Sequence, residues 1–281
     1  MMITHCAYAK INLSLSITGR RPTGYHELRS IVAFADVGER VSTTPSYDIT
    51  LTLDGEFSSA LDDTDNLILT IAKAFQQYAK QKQGAALHLH KTMPVASGIG
   101  GGSSDAAAAL HCLNQLWQCN IGLEELQQFA LPFGADIPAC LYAKPCIMEG
   151  IGEIITPYNA LPPWHIILVN PLKTVSTQHI FNQLPASLPA PPALQYPIEL
   201  KMLDNQLQPY AIAQCHDIQN IIDLLQALDS CIFARMSGSG ATCFAVFDTC
   251  QQARNAASHM QKYFPDYWVT YSSLNTRQNN I

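Results

Sequence analysis

The chain has 281 residues, of which 48% are hydrophobic and 14% are charged, and its formal net charge at pH 7 is −6. The hydrophobic share predicts a sizeable buried core, and the length suits one large domain or two small ones. The negative net charge argues against a nucleic-acid-binding surface, so an anionic ligand must be held by local groups and not by a global field.

The nine cysteines are scattered and include no C-x-x-C pair. Disulfide and zinc frameworks need tighter spacing, so this usage predicts a reducing, cytoplasmic environment. The first residues, MMITHCAYAK, lack the basic start and apolar block of a signal peptide. No apolar run approaches the ~20 residues of a membrane span, and we therefore expect no membrane partner.

Residues 4–18 alternate with period two, which predicts a half-buried strand. The face predicted to be buried carries Ile11, Leu13, Leu15 and Ile17. The opposite face carries Lys10 and Asn12, followed by Ser14 and Ser16, and so places an amine and an amide two residues apart. A solvated polar face is the ordinary alternative for this pair.

A glycine-bounded turn at 19–24 follows, and the next two residues are Tyr25 and His26. The patterns beyond them predict strands at 28–37, 47–54 and 85–91 and an amphipathic helix at 66–80. The last of these strands runs directly into a glycine-rich segment.

That segment, Pro94 to Leu110, has four glycines followed by an alanine-rich helical pattern. Glycines allow close backbone approach, and Ser103, Ser104 and Asp105 are residue types that favour a helix start. Free N–H groups at the positive end of a helix form an anion site, most often for phosphate. The segment lacks the Gly-Lys-Ser/Thr of a Walker A loop and the third glycine of a dinucleotide loop. By itself, a surface loop with a helix cap is an equal alternative.

Farther along, a helix at 123–131 precedes Asp136, which the following Ile-Pro places near a helix N-cap. The ordinary alternative is that Asp136 serves only as the cap of this helix. Residues 146–157 have the pattern of strand, turn and strand. Because prolines at 157, 162 and 163 mark a change in composition, we predict domains at 1–158 and 159–281.

The second half predicts helix, strand, strand, helix and strand in that order, which is typical of an α+β sandwich with antiparallel pairing. The helices are expected at 205–213, 217–228 and 251–263. A second Gly-Ser turn, Ser237–Gly240, falls between two strands. The pattern leaves residues 185–197 undefined.

A strand lysine, a Gly-Ser loop that opens a helix and a Gly-Ser turn between two strands, in this order, resemble the GHMP small-molecule kinases. Within that superfamily the sequence is similar to the branch that phosphorylates 4-diphosphocytidyl-2-C-methyl-D-erythritol. The motifs that carry the resemblance are AKINLSL at 9–15, GRRPTGYHELRS at 19–30, PVASGIGGGSSDAAAAL at 94–110, GADIPACL at 134–141, MEGIGEIITP at 148–157 and MSGSGATCFAVF at 236–247.

The resemblance implies a two-domain GHMP kinase fold of mixed α+β and α/β type, with an N-terminal α/β domain like ribosomal protein S5 and a C-terminal ferredoxin-like domain. It implies transfer of the γ-phosphoryl of ATP to the 2-hydroxyl of the substrate, in the non-mevalonate pathway of isoprenoid biosynthesis. ATP is then a co-substrate that carries Mg²⁺ with it, without a dedicated protein metal site. We expect small molecules as the only partners and a monomer or weak homodimer.

By the same resemblance, Lys10 and Asp136 are catalytic. The residues expected to hold the cytidine end are Asn12, Tyr25, His26 and Phe181. Of these, Tyr25 and Phe181 are expected to sandwich the base. The residues expected to bind the ATP phosphates are Pro94, Val95, Ala96, Ser97, Gly98, Ile99, Gly100, Gly101, Gly102, Ser103 and Ser104. The turn expected to contact phosphate or substrate comprises Ser237, Gly238, Ser239 and Gly240.

The chemistry of the residues agrees with these roles. Phosphoryl transfer depends mainly on positioning and charge stabilisation. A nearby Lys10 would keep Asp136 ionised, and Asp136 could then accept the hydroxyl proton. One departure is that Gln206 and Gln208 stand where the family often has an acidic residue.

Two alternatives stay open. Another GHMP kinase, of the homoserine or mevalonate type, would share the loops but would not need a base-stacking aromatic at Tyr25. A nucleotide-binding sensor that has lost catalysis is the second, and the presence of both Lys10 and Asp136 argues against it.

Overall fold

The computed structural model describes residues 1–64, 66–185, 191 and 193–274. The chain forms two compact units, each discontinuous in sequence. The first unit contains Met1–Ala9, Gly38–Val95 and Gly100–Ala143, and the second contains Lys10–Val37, Ala96–Ile99 and the chain from Lys144 onward. The predicted sequence domains, 1–158 and 159–281, stay a prediction.

The strands are β1 (Ile3–Arg20), β2 (His26–Ser46), β3 (Thr50–Asp54), β4 (Gly84–His90), β5 (Cys146–Gly150), β6 (Ile154–Pro157), β7 (His165–Asn170), β8 (Phe233–Met236), β9 (Cys243–Phe247) and β10 (Trp268–Ser273). The helices are α1 (Leu67–Tyr78), α2 (Gly101–Leu116), α3 (Leu123–Ala130), α4 (Ile137–Tyr142), α5 (Thr177–Gln183), α6 (Gln208–Gln214), α7 (Asp217–Gln226) and α8 (Cys250–Tyr263). Short 3₁₀ turns lie at Ser58–Ala60, Leu131–Phe133 and Leu200–Met202.

In the first unit, β4 runs antiparallel to the second half of β2 and parallel to β3. Helices α1, α2, α3 and α4 pack on one another. The ring of Phe75 on α1 is fully buried, with its centroid 5.9 Å from Trp117 and 5.4 Å from Phe129. Burial of such a side chain contributes about 2 kcal/mol to stability, so this aromatic cluster fixes the C-terminal end of α2.

In the second unit, β5 pairs with the first half of β2 and with β6, antiparallel in both cases. A separate four-stranded sheet has the order β10-β7-β9-β8 with every neighbour antiparallel. Its core is formed by one sheet face and the apolar sides of α7 and α8, and includes Ile167, Val169, Ala245, Phe247, Ile218, Ile221, Leu225, Ala253, Ala256 and Met260. The predicted order and the antiparallel pairing of this half are confirmed.

Strand β1 is buried on both faces from Ala9 to Leu15, so the expectation of a half-buried strand is wrong over this stretch. The reason is that its polar side chains bond inside the protein. Asn12 Nδ2 donates to Ser30 Oγ at 2.7 Å, and Ser30 Oγ donates to the carbonyl of Ser14 at 2.6 Å. Hydrogen-bonded polar groups can be buried without the desolvation penalty of unpaired ones.

Helix α2 begins at Gly101, with Gly100 at the N-cap in the left-handed region at φ +67°. The expectation that Ser103 to Asp105 start the helix is therefore wrong, because the chain enters through a glycine that needs no side-chain cap. Ser104 Oγ instead donates to the carbonyl of Tyr8 at 2.7 Å, and Asp105 is turned into the interior. Helix α6 also starts later than predicted, at Gln208.

Among the helices of the described part of the chain, none is both long and apolar enough to cross a bilayer.

The carboxylate of Asp217 joins three segments of the second unit. It accepts hydrogen bonds from Lys173 Nζ at 2.7 Å and from the Tyr267 hydroxyl at 2.6 Å. These bonds, that of Lys173 first, lower the pKa of Asp217 from its ordinary 3.8 to about 2. Because the pKa is lower in the folded state, the stabilisation is complete above pH 3.8 and is lost as the pH falls through about 2.

We predict that Asp217→Asn lowers the free energy of unfolding at pH 7 by ~1 kcal/mol, the range of a partly solvated charged hydrogen bond. The gap from the wild type should narrow below pH 3.8. Urea denaturation at pH 7 and pH 3 measures both effects. Asp223→Asn, an exposed change on the same helix, is the matched control, and equal losses for the two variants would contradict the assignment.

Candidate active site

The loop between β4 and α2 is held through its carbonyl oxygens. In the second unit, the carbonyls of Ser97, Gly98 and Ile99 accept hydrogen bonds from Thr242 N at 3.0 Å, Ser237 Oγ at 3.0 Å and Lys10 N at 2.9 Å. Carbonyl oxygens would repel a phosphate, and here three in succession are bonded to protein donors. This arrangement suits a loop that meets an anion with its N–H groups.

Gly98 and the turn Ser237–Gly240 pack backbone against backbone. Gly98 has φ +77°, and a Cβ placed there would lie 2.5 Å from the carbonyl oxygen of Ser237 and 2.6 Å from that of Gly240. At Gly238, a Cβ would lie 2.7 Å from the carbonyl oxygen of Gly98. No side chain fits at these contacts, so the sequence must supply glycine on both sides.

The loop leads into the N-terminus of α2, which belongs to the first unit. The 16-residue helix presents the positive end of its dipole at Gly101. No charged side chain of the described residues other than Asp105 lies in its first two turns, and that carboxyl is buried. The helix start is therefore a suitable place for an anion.

Lys10 is buried, at 3% exposure, on β1 in the second unit. Burial raises the pKa of the Cys146 thiol to about 12, and the charge of Lys10 opposes that shift, so the ammonium lies within electrostatic reach of Cys146. The alternative of a solvated polar face is wrong for Lys10, because its side chain is enclosed by protein.

Asn12 presents its carbonyl oxygen as an unused acceptor. Its backbone N–H donates to Ser237 Oγ at 3.1 Å and its Nδ2 donates to Ser30 Oγ. Because the single hydroxyl hydrogen of Ser30 goes to the carbonyl of Ser14, Ser30 can only accept from Asn12, which fixes the orientation of the amide. Asn12 Oδ1 is buried and has no hydrogen-bond partner among the described residues. A ligand group that meets it must be a donor.

His26 and Phe181 lie together, with ring centroids 5.2 Å apart and planes at 32°. Burial, and after it the charge of Arg20, lowers the pKa of His26 below its ordinary value, so the imidazole is neutral at pH 7. Tyr25, which directly precedes His26 in sequence, is 64% exposed. Two flat rings and a free phenol are a suitable set for a planar base.

Two anchors fix these rings. Arg21 forms ion pairs with Glu27 and Glu153, and its backbone N–H donates to the carbonyl of Tyr25 at 2.8 Å, which closes the turn before His26. Helix α5, which carries Phe181, is tied to the Gly-Ser turn because the hydroxyl oxygens of Thr177 and Ser239 lie 2.6 Å apart.

Asp136 lies at the N-cap position of α4 in the first unit. Its side chain makes no capping hydrogen bond to that helix, so service as a cap does not account for the carboxylate. Gln127 Nε2 donates to the carbonyl of Pro138 at 2.8 Å and steadies the start of α4.

The structure thus brings together, within the second unit, Lys10, Asn12, Ser97, Gly98, Ile99 and the turn Ser237–Gly240, and joins His26 to Phe181. The first unit holds Asp136, Pro94, Val95 and Gly100–Ser104. The catalytic pairing of Lys10 with Asp136 stays a prediction. Among the described residues, no group of three or more His, Cys, Asp or Glu side chains could hold a metal ion.

Sequence reasoning missed two sets of residues. Ser30 orients Asn12, and the only signal for it was its position in a strand after Tyr25 and His26. Lys91, Glu39 and Asp105 form a buried ionic cluster in the first unit. Lys91 directly follows β4, a strand with ordinary alternation. Only the apolar residues near it could have indicated that this lysine is buried.

Comparison with known proteins shows the family. Residues 66–144 match the GHMP kinases N terminal domain and residues 197–266 match the GHMP kinases C terminal model. A 4-diphosphocytidyl-2-C-methyl-D-erythritol kinase of Parvibaculum lavamentivorans is 40% identical over 283 residues, covering 96% of this chain and 98% of the relative. The chain belongs to the 4-diphosphocytidyl-2-C-methyl-D-erythritol kinase family.

Solved structures agree with the family. The crystal structure of a 4-(cytidine 5'-diphospho)-2C-methyl-D-erythritol kinase has a TM-score of 0.80 at 28% identity and covers 98% of this chain and 100% of its own. Homoserine kinase from Cytophaga hutchinsonii has a TM-score of 0.78 at 18% identity, covering 98% and 96%, and shows the fold alone. The predicted two-domain GHMP kinase fold is confirmed.

We predict that Gly98→Ala lowers kcat/KM of this family member by ~100-fold, because the added methyl separates the loop from the Gly-Ser turn and small displacements in such sites have effects of that size. Steady-state kinetics with the family substrate measure it. Gly122→Ala is the matched control, since a Cβ at Gly122 meets nothing within 4 Å. Retained activity in Gly98→Ala would contradict the close contact.

Proposed function

We propose that the protein transfers the γ-phosphoryl group of ATP to the 2-hydroxyl of 4-diphosphocytidyl-2-C-methyl-D-erythritol, giving the 2-phosphate and ADP. The observation that carries the proposal is 40% identity to a kinase of that name over 96% of the chain. GHMP kinases use ATP as phosphate donor, and the reaction belongs to isoprenoid precursor biosynthesis by the non-mevalonate route.

The loop Pro94–Ser104 binds the phosphates of ATP in this proposal. Two features support it: the carbonyls of Ser97, Gly98 and Ile99 are bonded to protein donors, and the helix that starts at Gly101 offers the N–H groups of its first turn to an anion. Mg²⁺ comes with the nucleotide, held mostly by phosphate oxygens and water, and offsets phosphate charge.

Asp136 accepts the proton of the substrate hydroxyl, and Lys10 stabilises charge on the transferring group. In the transfer, the hydroxyl oxygen forms a bond to the γ-phosphorus while the bond from that phosphorus to the β–γ bridging oxygen breaks. The hydroxyl proton moves to Asp136, and the bridging oxygen leaves as part of ADP. The burial of Lys10 supports its part in the transfer, since a charge in a dry site acts more strongly.

The cytidine end binds at Tyr25, His26 and Phe181. A cytosine ring can stack on aromatic faces, an interaction of ~1–3 kcal/mol in nucleic-acid systems. A neutral His26 can hydrogen-bond to the base edge as well as pack against Phe181. Asn12 Oδ1 accepts from a substrate hydroxyl, because its amide orientation leaves only an acceptor available.

A homoserine or mevalonate type of GHMP kinase is not favoured. The likeness to homoserine kinase is 18% in identity and shows the fold alone. Mevalonate and homoserine carry no nucleobase that could stack on the aromatic pair of His26 and Phe181. A cytoplasmic location, a monomer or weak homodimer, and the absence of nucleic-acid and membrane partners stay predictions.

We predict that ADP release, measured with a coupled assay, needs 4-diphosphocytidyl-2-C-methyl-D-erythritol and is at least ~100-fold slower with mevalonate or homoserine, because a site built to hold polar groups strongly rejects ligands that lack them. Phe181→Leu should raise KM for the cytidylyl substrate and leave KM for ATP within about twofold, since stacking concerns one ligand only. Equal rates with the three acceptors would overturn the proposed substrate.

We predict that Asp136→Asn lowers kcat by at least ~100-fold, the usual scale for a general base, with KM for ATP little changed. Asp248→Asn is the matched control, because it makes the same chemical change at an exposed position in the second unit. Near-normal turnover of the folded Asp136→Asn protein would remove Asp136 from the reaction.

A further inference from the structure

Three ionisable side chains are enclosed together in the first unit. Lys91 Nζ lies 2.6 Å from Glu39 Oε2 and 2.8 Å from Asp105 Oδ2, and the three side chains are 2%, 0% and 4% exposed. In a chain with few charges, an apolar side chain would fill this space at a lower desolvation penalty. The cluster therefore calls for an explanation beyond stability.

The cluster is neutral only if it retains a proton. It holds one ammonium and two carboxyl groups, and Asp105 Oδ1 is buried without a donor among the described residues. A proton on that oxygen gives it a role, as donor to the Glu39 carboxylate. Burial raises the pKa of Asp105 well above its ordinary value; the charge of Lys91 opposes this shift and that of Glu39 adds to it, and the direction agrees with a protonated Asp105. Lys91 and Glu39 are the charged groups that face it.

The cluster also joins the chain before the glycine-rich loop to the chain after it. Glu39 Oε1 accepts hydrogen bonds from the backbone N–H groups of Thr92 at 3.2 Å and Met93 at 2.9 Å, the two residues that enter the loop. Asp105 lies on α2, five residues after the Gly100 N-cap. Lys91 binds both carboxyl groups and so connects the two sides.

Gly101, the first residue of α2, lies directly against the cluster. A Cβ at Gly101 would be 3.3 Å from Lys91 Nζ and 3.9 Å from Glu39 Oε2. The buried charges are therefore next to the helix start, where an uncompensated negative charge would act against a bound phosphate. The net charge of the cluster therefore acts directly on the helix start, because the two lie side by side.

We propose that Glu39, Lys91 and Asp105 are positioning residues for the nucleotide: the cluster sets the distance between the two ends of the glycine-rich loop and, with its shared proton, puts no net charge beneath the phosphates. This inference rests on the proposed function, because it takes that loop as the ATP site. The three side chains act through the loop and do not touch the substrate.

The test compares two changes at Asp105. Asp105→Asn keeps an acceptor for Lys91, a donor for Glu39 and the neutral charge count, so KM for ATP should stay within about twofold of the wild type. Asp105→Ala keeps a good helix residue but cuts the connection to α2. It should raise KM for ATP by ~10-fold or more, while KM for the acceptor changes less than about twofold. Steady-state kinetics with each substrate varied in turn give both values.

Leu87→Ala is the matched control for a merely structural role. Leu87 is buried on β4, the strand that ends beside Lys91, so its truncation should lower the thermal midpoint without changing KM for ATP. If Asp105→Ala and Leu87→Ala change KM for ATP alike, or if Asp105→Asn is as impaired as Asp105→Ala, the inference is overturned. If Asp105→Ala does not fold, Lys91→Met, which removes the ammonium that binds both carboxyl groups, takes its place with the same expected split between the two KM values.

Direct binding separates this inference from the proposed function. Calorimetry with ATP and Mg²⁺, without acceptor, measures Kd for the wild type and both Asp105 variants. A wild type that does not bind ATP defeats the proposed function. A wild type that binds ATP no more tightly than Asp105→Ala defeats the positioning role and leaves the proposed function intact.

Discussion

The contact between Gly98 and the turn Ser237–Gly240 is the constraint on which the arrangement of the second unit depends. Two backbones can approach so closely only because both carry glycine there. The turn also forms hydrogen bonds to Asn12, Gly98 and Thr177. Ser237 Oγ accepts from Asn12 N and donates to Gly98, and Ser239 reaches Thr177 on the helix that carries Phe181. The glycine-rich loop, Asn12 and the helix that carries Phe181 are thus all held by contacts with one short turn.

The buried polar side chains of β1 and β2 bond to one another and not to solvent. In the chain of Asn12, Ser30 and Ser14, the Asn12 amide donates to Ser30 and Ser30 donates to the carbonyl of Ser14, while Asn12 Oδ1 has no hydrogen-bond partner among the described residues. Each bond in such a buried network favours one arrangement of its partners. These hydrogen bonds fix the orientation of the Asn12 amide.

Much of the fold could be predicted because local patterns determine it. The alternation at 4–18 predicts a strand and the helical stripe at 66–80 predicts α1, because the period of the apolar residues is visible in a single sequence. The limits of such reasoning appear where distant residues meet. Burial of the polar face of β1 depends on Ser30, and the entry to α2 depends on a left-handed Gly100 that makes capping serines unnecessary. The cluster at Lys91 joins residues 52 and 14 positions away in sequence, a proximity that no local pattern can express.

Charge balance connects these observations. A protein with a net charge of −6 cannot attract a nucleotide with its overall field, so in the proposed function the attraction comes from N–H groups at the loop and at the start of α2. Such dipoles are weaker than full charges, and a single buried carboxylate beside them would cancel much of their effect. The two carboxyl groups next to Gly101 are accompanied by the ammonium of Lys91, and burial raises the pKa of Asp105 well above its ordinary value. The residues beneath the loop are therefore constrained by their total charge as much as by their shape, and a substitution at one of them has to be judged together with the other two.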